Sequence, residues 1–281
     1  YLVADGQRAI LGGMNVADEY LFGGDPAHPE PIVDVGVARP AWRDTDVLIE
    51  GPAAADAYQA FARNWLTLTG EVLPPPPPAM PVAGDAHVQI VQHRPGEDGD
   101  HHTAAVLIEA LATLEAGQRA LISSAYFLPT AALTQYRHAL ACAARRGVDV
   151  RVLTNSREST DEPAICDAAV YPCRELVAAG VKLFERTTAR TMHQKVAVLG
   201  GNTCIVGSWN SDNRSETFNS EVMAVICSEE LARQMEAQFE ADCCVDGAEP
   251  CARPILAAQL EHHSHAEAWR SLWAALQAEL L

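Results

Sequence analysis

The chain has 281 residues, room for one large domain or two modest ones. With 20 Lys+Arg against 37 Asp+Glu its formal charge is −17, which disfavours nucleic acid as a partner, because a fold that neutralises many phosphates carries a basic surface. No apolar run reaches the roughly 18 residues of a membrane span, and the first residues lack a basic stretch leading into a long apolar core.

"YLVADGQRAILGG" (Tyr1–Gly13) reads as a strand, a turn and a second strand. Leu21 to Pro40 is rich in glycine and proline and reads as a loop, either a substrate lid or an inert surface segment. "WRDTDVLIEG" sets Asp44 and Asp46 at the mouth of an apolar strand. Five consecutive prolines within Leu73–Gly84 predict an extended spacer. The expected division is therefore a first part over 1–72, a linker over 73–86, a second part over 87–247 and a helical tail over 248–281.

Beyond the linker, "HVQIVQH" is strand-like and Thr103–Leu114 has helical spacing. "ALISSAYF" reads as a buried strand, Ala131–Ala144 as a helix, "RRGVDVRVLTNS" as a glycine stop and a strand, Glu175–Ala179 as a helix, and "GVKLFE" as a strand. That rhythm predicts α/β architecture with a largely parallel sheet. "KVAVLGGNTCIVGSW" is a hairpin signal. After "EVMAVIC", Ser228 caps a helix bearing Leu231, Met235 and Phe239 on one face. A last helix, with Trp269, Leu272, Trp273, Leu276 and Leu280, is expected to pack on the body.

All eight cysteines lie in the second half, with no C-x-x-C pair, so no structural zinc is expected. Cys142, Cys204 and Cys227 read as buried thiols. Cys166/Cys173 and Cys243/Cys244/Cys251 form disulfides only in an oxidising compartment. Gly99–His102 and His262–His265 read as surface histidines rather than metal ligands. Neither metal nor other cofactor is expected.

"DGQRAILGGMN" (Asp5–Asn15) and "GGNTCIVGSWN" (Gly200–Asn210) share glycines, an apolar pair and a final asparagine at one constant offset. This predicts two similar halves facing each other across a pseudo-two-fold axis. At that offset Lys195 corresponds to the position just before Tyr1, and His193 to one earlier still. The chain is therefore expected to be a fragment.

His193 and Lys195, two apart in a strand, project to one face. The return strand is expected to bring Ser208 and Asn210 beside them. An imidazole attacks phosphorus or protonates a leaving oxygen, and an ammonium with polar hydrogens stabilises phosphoryl charge. Such a histidine needs a carboxylate on its other nitrogen. Glu221 stands at the mouth of one apolar strand, and Asp44 or Asp46 at the mouth of another. Together these are parts for metal-free phosphoryl transfer.

His-x-Lys followed by "GSWNSDNRSETFNSE" resembles the phospholipase D superfamily motif. "DGQRAILGGMNVADEY", "WRDTDVLIEGP" and "SSAYFLP" are similar to segments of bacterial cardiolipin synthases and related phosphatidyltransferases. The resemblance implies two related halves of mixed sheets flanked by helices, the first incomplete here. It implies that His193 is a catalytic acid/base and Lys195 a phosphate-binding cation, that Ser208 and Asn210 touch the phosphoryl group, and that Glu221 orients His193. In the first half it matches Asp5 to the motif aspartate, Asn15 to the paired asparagine and Asp44 to a histidine-orienting acid. Tyr126 and Phe127 either line the substrate entrance or belong to the core, Asp5 serves the turn or the chemistry, and Arg214 makes an ion pair or touches substrate.

The implied mechanism passes through a phosphohistidine on the first-half histidine. The implied partners are a phospholipid and an alcohol or water acceptor, with peripheral membrane contact, in a bacterial cytoplasm or at its membrane. Gly200 departs from the pattern, where an aspartate is expected. It is the one feature favouring a non-catalytic binding module, and a phosphodiesterase acting on nucleic acid is the other alternative.

Overall fold

A computed structural model describes residues 1–20, 32–34, 37–39, 41–76, 78, 81–82, 84–95, 102–188, 190–243, 252–257 and 260. Most of the Leu21–Pro40 loop and of Gly99–His102, together with Cys244, Cys251, His262–His265 and the last expected helix, lie outside the described residues. The first part holds β1 (Leu2–Ala4), β2 (Arg8–Gly12), β3 (Ile32–Asp34), β4 (Val37–Arg39), β5 (Asp46–Glu50) and α1 (Pro52–Thr69). There follow β6 (His87–His93), α2 (His102–Thr113), β7 (Arg119–Ser124), α3 (Thr134–Arg145), β8 (Asp149–Thr154), α4 (Pro163–Ala168), α5 (Val170–Ala178) and β9 (Lys182–Arg186). The last elements are β10 (Lys195–Leu199), β11 (Thr203–Gly207), α6 (Asn213–Thr217), β12 (Glu221–Cys227), α7 (Glu229–Cys243) and β13 (Ala252–Pro254).

One sheet has eight strands in the order β13-β9-β8-β7-β10-β11-β12-β6, and a second has the order β1-β2-β5. The largely parallel sheet expected from the strand–helix rhythm is corrected to a mixed one, as the family resemblance implies. Only β7–β8 and β8–β9 run parallel, and the other five pairings are antiparallel. Parallel neighbours need a long crossover. Here α3 supplies the first, and α4 with α5 the second.

The internal repeat is visible in the register. Leu2 pairs with Ile10 as Ala197 pairs with Ile205. Gly12 pairs with Asp46 as Gly207 pairs with Met223. Each unit is a hairpin, a third strand and a helix: β1-β2-β5-α1 and β10-β11-β12-α7. Equivalent faces meet. Ala9, Leu11, Val47 and Ile49 share one core with Cys204, Val206, Ala224 and Ile226. Two copies packed through the same face make the pseudo-two-fold. The opposite faces differ. Ala197 and Ile205 are buried in the core that includes α2 and α3, whereas Leu2, Ile10 and Leu48 are exposed at 61%, 43% and 62%.

Sequence periodicity missed α1, and its residues explain why. Its buried face is Ala54, Ala55, Ala57 and Ala60, while the larger Phe61, Leu66 and Leu68 lie exposed. The helix starts at Pro52 and stops at Gly70, whose φ of 75° suits glycine. Ser228 accepts a hydrogen bond from Leu231 N as expected of a cap. Among the cysteines, Cys204 is buried, Cys142 is half-buried, and Cys227 at the end of β12 is exposed, correcting the expectation of three buried thiols. Cys166 and Cys173 are free thiols, both pushed up to about 12 by burial.

Candidate active site

His193 lies just before β10, in a segment fixed at three points. Asn155 donates to Ala125 O and Met192 O and accepts from Met192 N, all within 3.0 Å. The Asp44 segment pairs with the same stretch: Arg43 N donates to Thr191 O at 2.8 Å and His193 N to Arg43 O at 2.7 Å. Gln194 Nε2 donates to Thr45 Oγ1 at 2.7 Å. Backbone pairing between the repeats therefore puts Asp44 beside His193.

Asp44 Oδ2 stands 2.9 Å from His193 Nδ1, and the Asp44 side chain is fully buried. The carboxylate on this ring is therefore Asp44, which corrects the expectation that Glu221 orients His193. Glu221 accepts from the Ser208 hydroxyl and from Asn219 Nδ2 at 3.1 Å. Burial pushes its carboxyl up, while hydrogen bonds from Ser208, Ser215 and Asn219 pull it down. Register makes the two acids equivalent: Asp44 stands two residues before the partner of Gly12, and Glu221 two before the partner of Gly207. Because the repeats pack face to face, the first repeat's acid crosses to the second repeat's histidine.

Gly13 makes room for this crossing. A Cβ there would lie 2.5 Å from Asp44 Oδ1 and 2.8 Å from His193 O. In the second repeat the equivalent residue is Ser208.

Lys195 projects with His193 as expected, its Nζ 2.8 Å from Nδ1 and donating also to His193 O. Burial lowers its pKa to about 8, against the opposing pull of Asp44, Glu221, Asp212 and Asp161. An unfolded lysine holds its proton to about 10.4, so between these values the unfolded chain binds more protons and folding gains stability as pH rises. Urea unfolding should show wild type gaining on Lys195→Met from about pH 8 upward, by at most about 1.4 kcal/mol per pH unit. A difference flat across that window would contradict it.

Asn210 lines a cavity of about 320 Å3 with Tyr126, Asp161, Asp212, Arg214 and Ser215. Its Oδ1 is buried without a hydrogen-bond partner among the described residues. Such an orphan costs about 1–3 kcal/mol, which a ligand would recover. Tyr126 faces His193 edge-on, ring centroids 6.0 Å apart, and donates to Asp161 at 2.8 Å. Phe127 is buried in the core behind it, so only Tyr126 of this pair faces the site. Asn15 reaches the site through Tyr20, its Nδ2 3.5 Å from Tyr20 Oη, which is 2.8 Å from His193 Nδ1.

Two sequence candidates belong to turns. Asp5 has a φ of 55° at the β1–β2 turn, and its counterpart Gly200 a φ of 63° at the β10–β11 turn. Each sits at the opposite end of its hairpin from the histidine side, a strand of five residues or roughly 16 Å away. The structure thus places Asp5 outside the site, and Gly200 no longer argues against chemistry. Gly200→Asp is expected to leave turnover unchanged and to cost no more than about 1–2 kcal/mol. Its added Cβ would come tightest against the flexible end of Leu114, at 3.2 Å, with Gln118 Nε2 at 3.5 Å and Asn202 Oδ1 at 3.7 Å in ordinary contact. A variant lacking activity would show the reading of this turn to be wrong.

Sequence reasoning missed Tyr20, Trp42 and Asp161 as site residues. The Trp42 ring lies 5.1 Å and the Tyr20 ring 5.7 Å from that of His193, and Trp42 N donates to Glu19 O, tying the two segments together. Tyr20 and Trp42 stand inside the resembling stretches, but no periodicity marks either as facing the histidine.

The family described as cardiolipin synthase, PLD-like domain, matches residues 108–243. The chain is 36% identical over 241 residues to cardiolipin synthase A of Pseudomonas aeruginosa (strain LESB58), covering 86% of the chain and 45% of that protein. It is 35% identical to cardiolipin synthase A of Pseudomonas entomophila (strain L48), over 86% of the chain and 46% of that protein. The chain thus spans about half the length of these relatives. Phosphatidylserine synthase of Haemophilus influenzae Rd KW20 shares the fold at a TM-score of 0.56 and 11% identity, over 82% of this chain and 54% of that one. Family, fold and motif agree, and the chain belongs to the phospholipase D superfamily, on its cardiolipin synthase-like side.

Proposed function

We propose that this chain supplies the acid/base half of a phosphatidyltransferase site acting on phospholipid phosphodiesters. The observation that carries the reading is the Asp44–His193 pair. With a carboxylate on Nδ1, Nε2 is the working nitrogen, and the imidazolium that forms there has a buried counter-charge. The pseudo-two-fold extends the reading. If Asp44 crosses to His193, Glu221 crosses in the same way to the histidine of the first repeat that would match His193 in this reading.

In the reaction, the first-repeat imidazole attacks phosphorus and a P–N bond forms. The P–O bond to the leaving alcohol breaks as His193 Nε2 gives that oxygen its proton. An incoming alcohol then returns a proton to Nε2, its oxygen attacks phosphorus, and the P–N bond breaks. Lys195, Asn15 and Asn210 would hold the phosphoryl oxygens, with Ser208 positioning Glu221. The donor is a phospholipid and the acceptor an alcohol or water, with contact at a membrane surface. Among the described residues no helix is long and apolar enough to cross a membrane.

A single imidazole cannot be nucleophile and acid at once. This chain alone is therefore expected to turn over little, and a form extended to carry the counterpart histidine and lysine to be active. The test is trapping of labelled phosphoenzyme on the extended form. Label from a phospholipid, lost together with turnover in His193→Ala but regained there with a donor whose leaving group needs no protonation, is the expected result. Label only from an oligonucleotide, or none from either, overturns the proposal.

A further inference from the structure

The described hydrogen-bonding partners of the His193 ring crowd onto one nitrogen. Asp44 Oδ2 lies 2.9 Å from Nδ1, Lys195 Nζ 2.8 Å and Tyr20 Oη 2.8 Å. A ring nitrogen makes one good in-plane hydrogen bond. A protonated Nδ1 donates to Asp44 and leaves a lone pair on Nε2. A bare Nδ1 accepts from Tyr20 or Lys195, and the proton of the neutral ring then sits on Nε2. Only the first tautomer can take a proton from an alcohol at Nε2.

Tyr20 is buried and held for this contact. Its ring stands edge-on to Trp42 at 5.3 Å and to His193 at 5.7 Å. Its oxygen receives Asn15 Nδ2 at 3.5 Å, so the hydroxyl has one hydrogen to give. Burial first, and then the Asp44 charge, push the phenol well above its ordinary range, so it keeps that hydrogen. The fold itself does not ask for a tyrosine. The equivalent position in the second repeat is Ser215, a buried residue whose hydroxyl accepts from Asn210 N at 3.2 Å.

We propose that Tyr20 is a positioning residue that competes with Asp44 for His193 Nδ1 and thereby sets which ring nitrogen holds the proton. Its donation holds the resting neutral ring with hydrogen on Nε2. When Asp44 wins, the proton is on Nδ1 and Nε2 is ready to act as base. The exchange passes through the imidazolium, one proton taken from solvent at Nδ1 and one released from Nε2, with no net change. The other charged or titratable groups facing the ring region, among the described residues, are Lys195 on β10 and Tyr126 with Asp161 on the loops before α3 and α4.

The proposal rests on His193 being the acid/base, but its test reads the ring and needs no turnover, so absence of phosphoenzyme would leave this result standing separately. The chain is labelled with 15N-histidine, and His193 is assigned by its loss in His193→Asn. In Tyr20→Phe the neutral ring is expected to move toward the Nδ1–H tautomer, by roughly tenfold in the tautomer ratio. An unchanged tautomer ratio in the folded variant overturns the proposal. 3-Fluorotyrosine at position 20 keeps the hydroxyl, makes it a stronger donor and avoids an empty site should Tyr20→Phe fail to fold. It is expected to raise the share of the Nε2–H tautomer, and no change or a fall overturns the proposal equally.

Discussion

Asn in place of Asp44 is expected to cut turnover of the extended enzyme by roughly 10^3–10^4-fold, the scale seen when a histidine loses its orienting carboxylate. The substitution keeps the shape of a side chain that is fully buried, so the fold should survive. What goes is the charge facing the imidazolium and the acceptor that keeps a proton on Nδ1. KM should change little, because Asp44 is proposed to act on the ring and not on the lipid. Steady-state kinetics on vesicles of phospholipid check this, with Glu221→Gln beside it. That variant should also lose turnover, but by failing to form phosphoenzyme. Asp44→Asn should still form it from a donor whose leaving group needs no protonation. Equal loss of the labelled intermediate in both variants would remove the division of labour.

Gly13→Ala is the second large effect. The new Cβ would meet Asp44 Oδ1 at 2.5 Å, His193 O at 2.8 Å and Asp44 Oδ2 at 2.9 Å. None of these is the loose end of a long side chain. The carbonyl belongs to the backbone that pairs with Arg43, and the carboxylate is fixed by His193 and by Thr45 N at 2.8 Å. Overpacking of this kind costs about 1–3 kcal/mol, and relief by moving the carboxylate would break its contact with the ring. Urea unfolding should show the loss of stability, and turnover should fall with it. Gly84→Ala is the control, since nothing lies within 4 Å of the added carbon. Equal behaviour of the two variants would contradict the close approach.

The sequence carried the chemistry better than the geometry. His193 and Lys195 stood out by their two-residue spacing beside a glycine hairpin, and Asn210 because that hairpin recurs at a constant offset with a matching register. Asp44 and Glu221 looked alike because each stands at the mouth of an apolar strand, and the strand registers make them equivalents. The sequence did not say which ring each acid serves, because that depends on two faces meeting across residues far apart in the chain. The same gap hid Tyr20 and Trp42, which reach His193 from another repeat. Asp5 stayed open between turn and chemistry for a local reason: a turn aspartate with φ of 55° and a catalytic one look alike in one dimension. Alanine burial concealed α1, and nothing in the strand pattern marked β6 as the antiparallel neighbour of β12 or β10 as that of β7.

The most direct test of the crossed pairing is a double-mutant cycle on the unfolding free energy of this chain, combining His193→Gln with Asp44→Asn and, separately, with Glu221→Gln. Partners in contact couple by about 0.5–3 kcal/mol, whereas independent sites add to within about 0.5 kcal/mol. Coupling of Asp44 with His193, and near-additivity of Glu221 with His193, is the predicted result. Additivity at Asp44, or the coupling appearing at Glu221 instead, would contradict it.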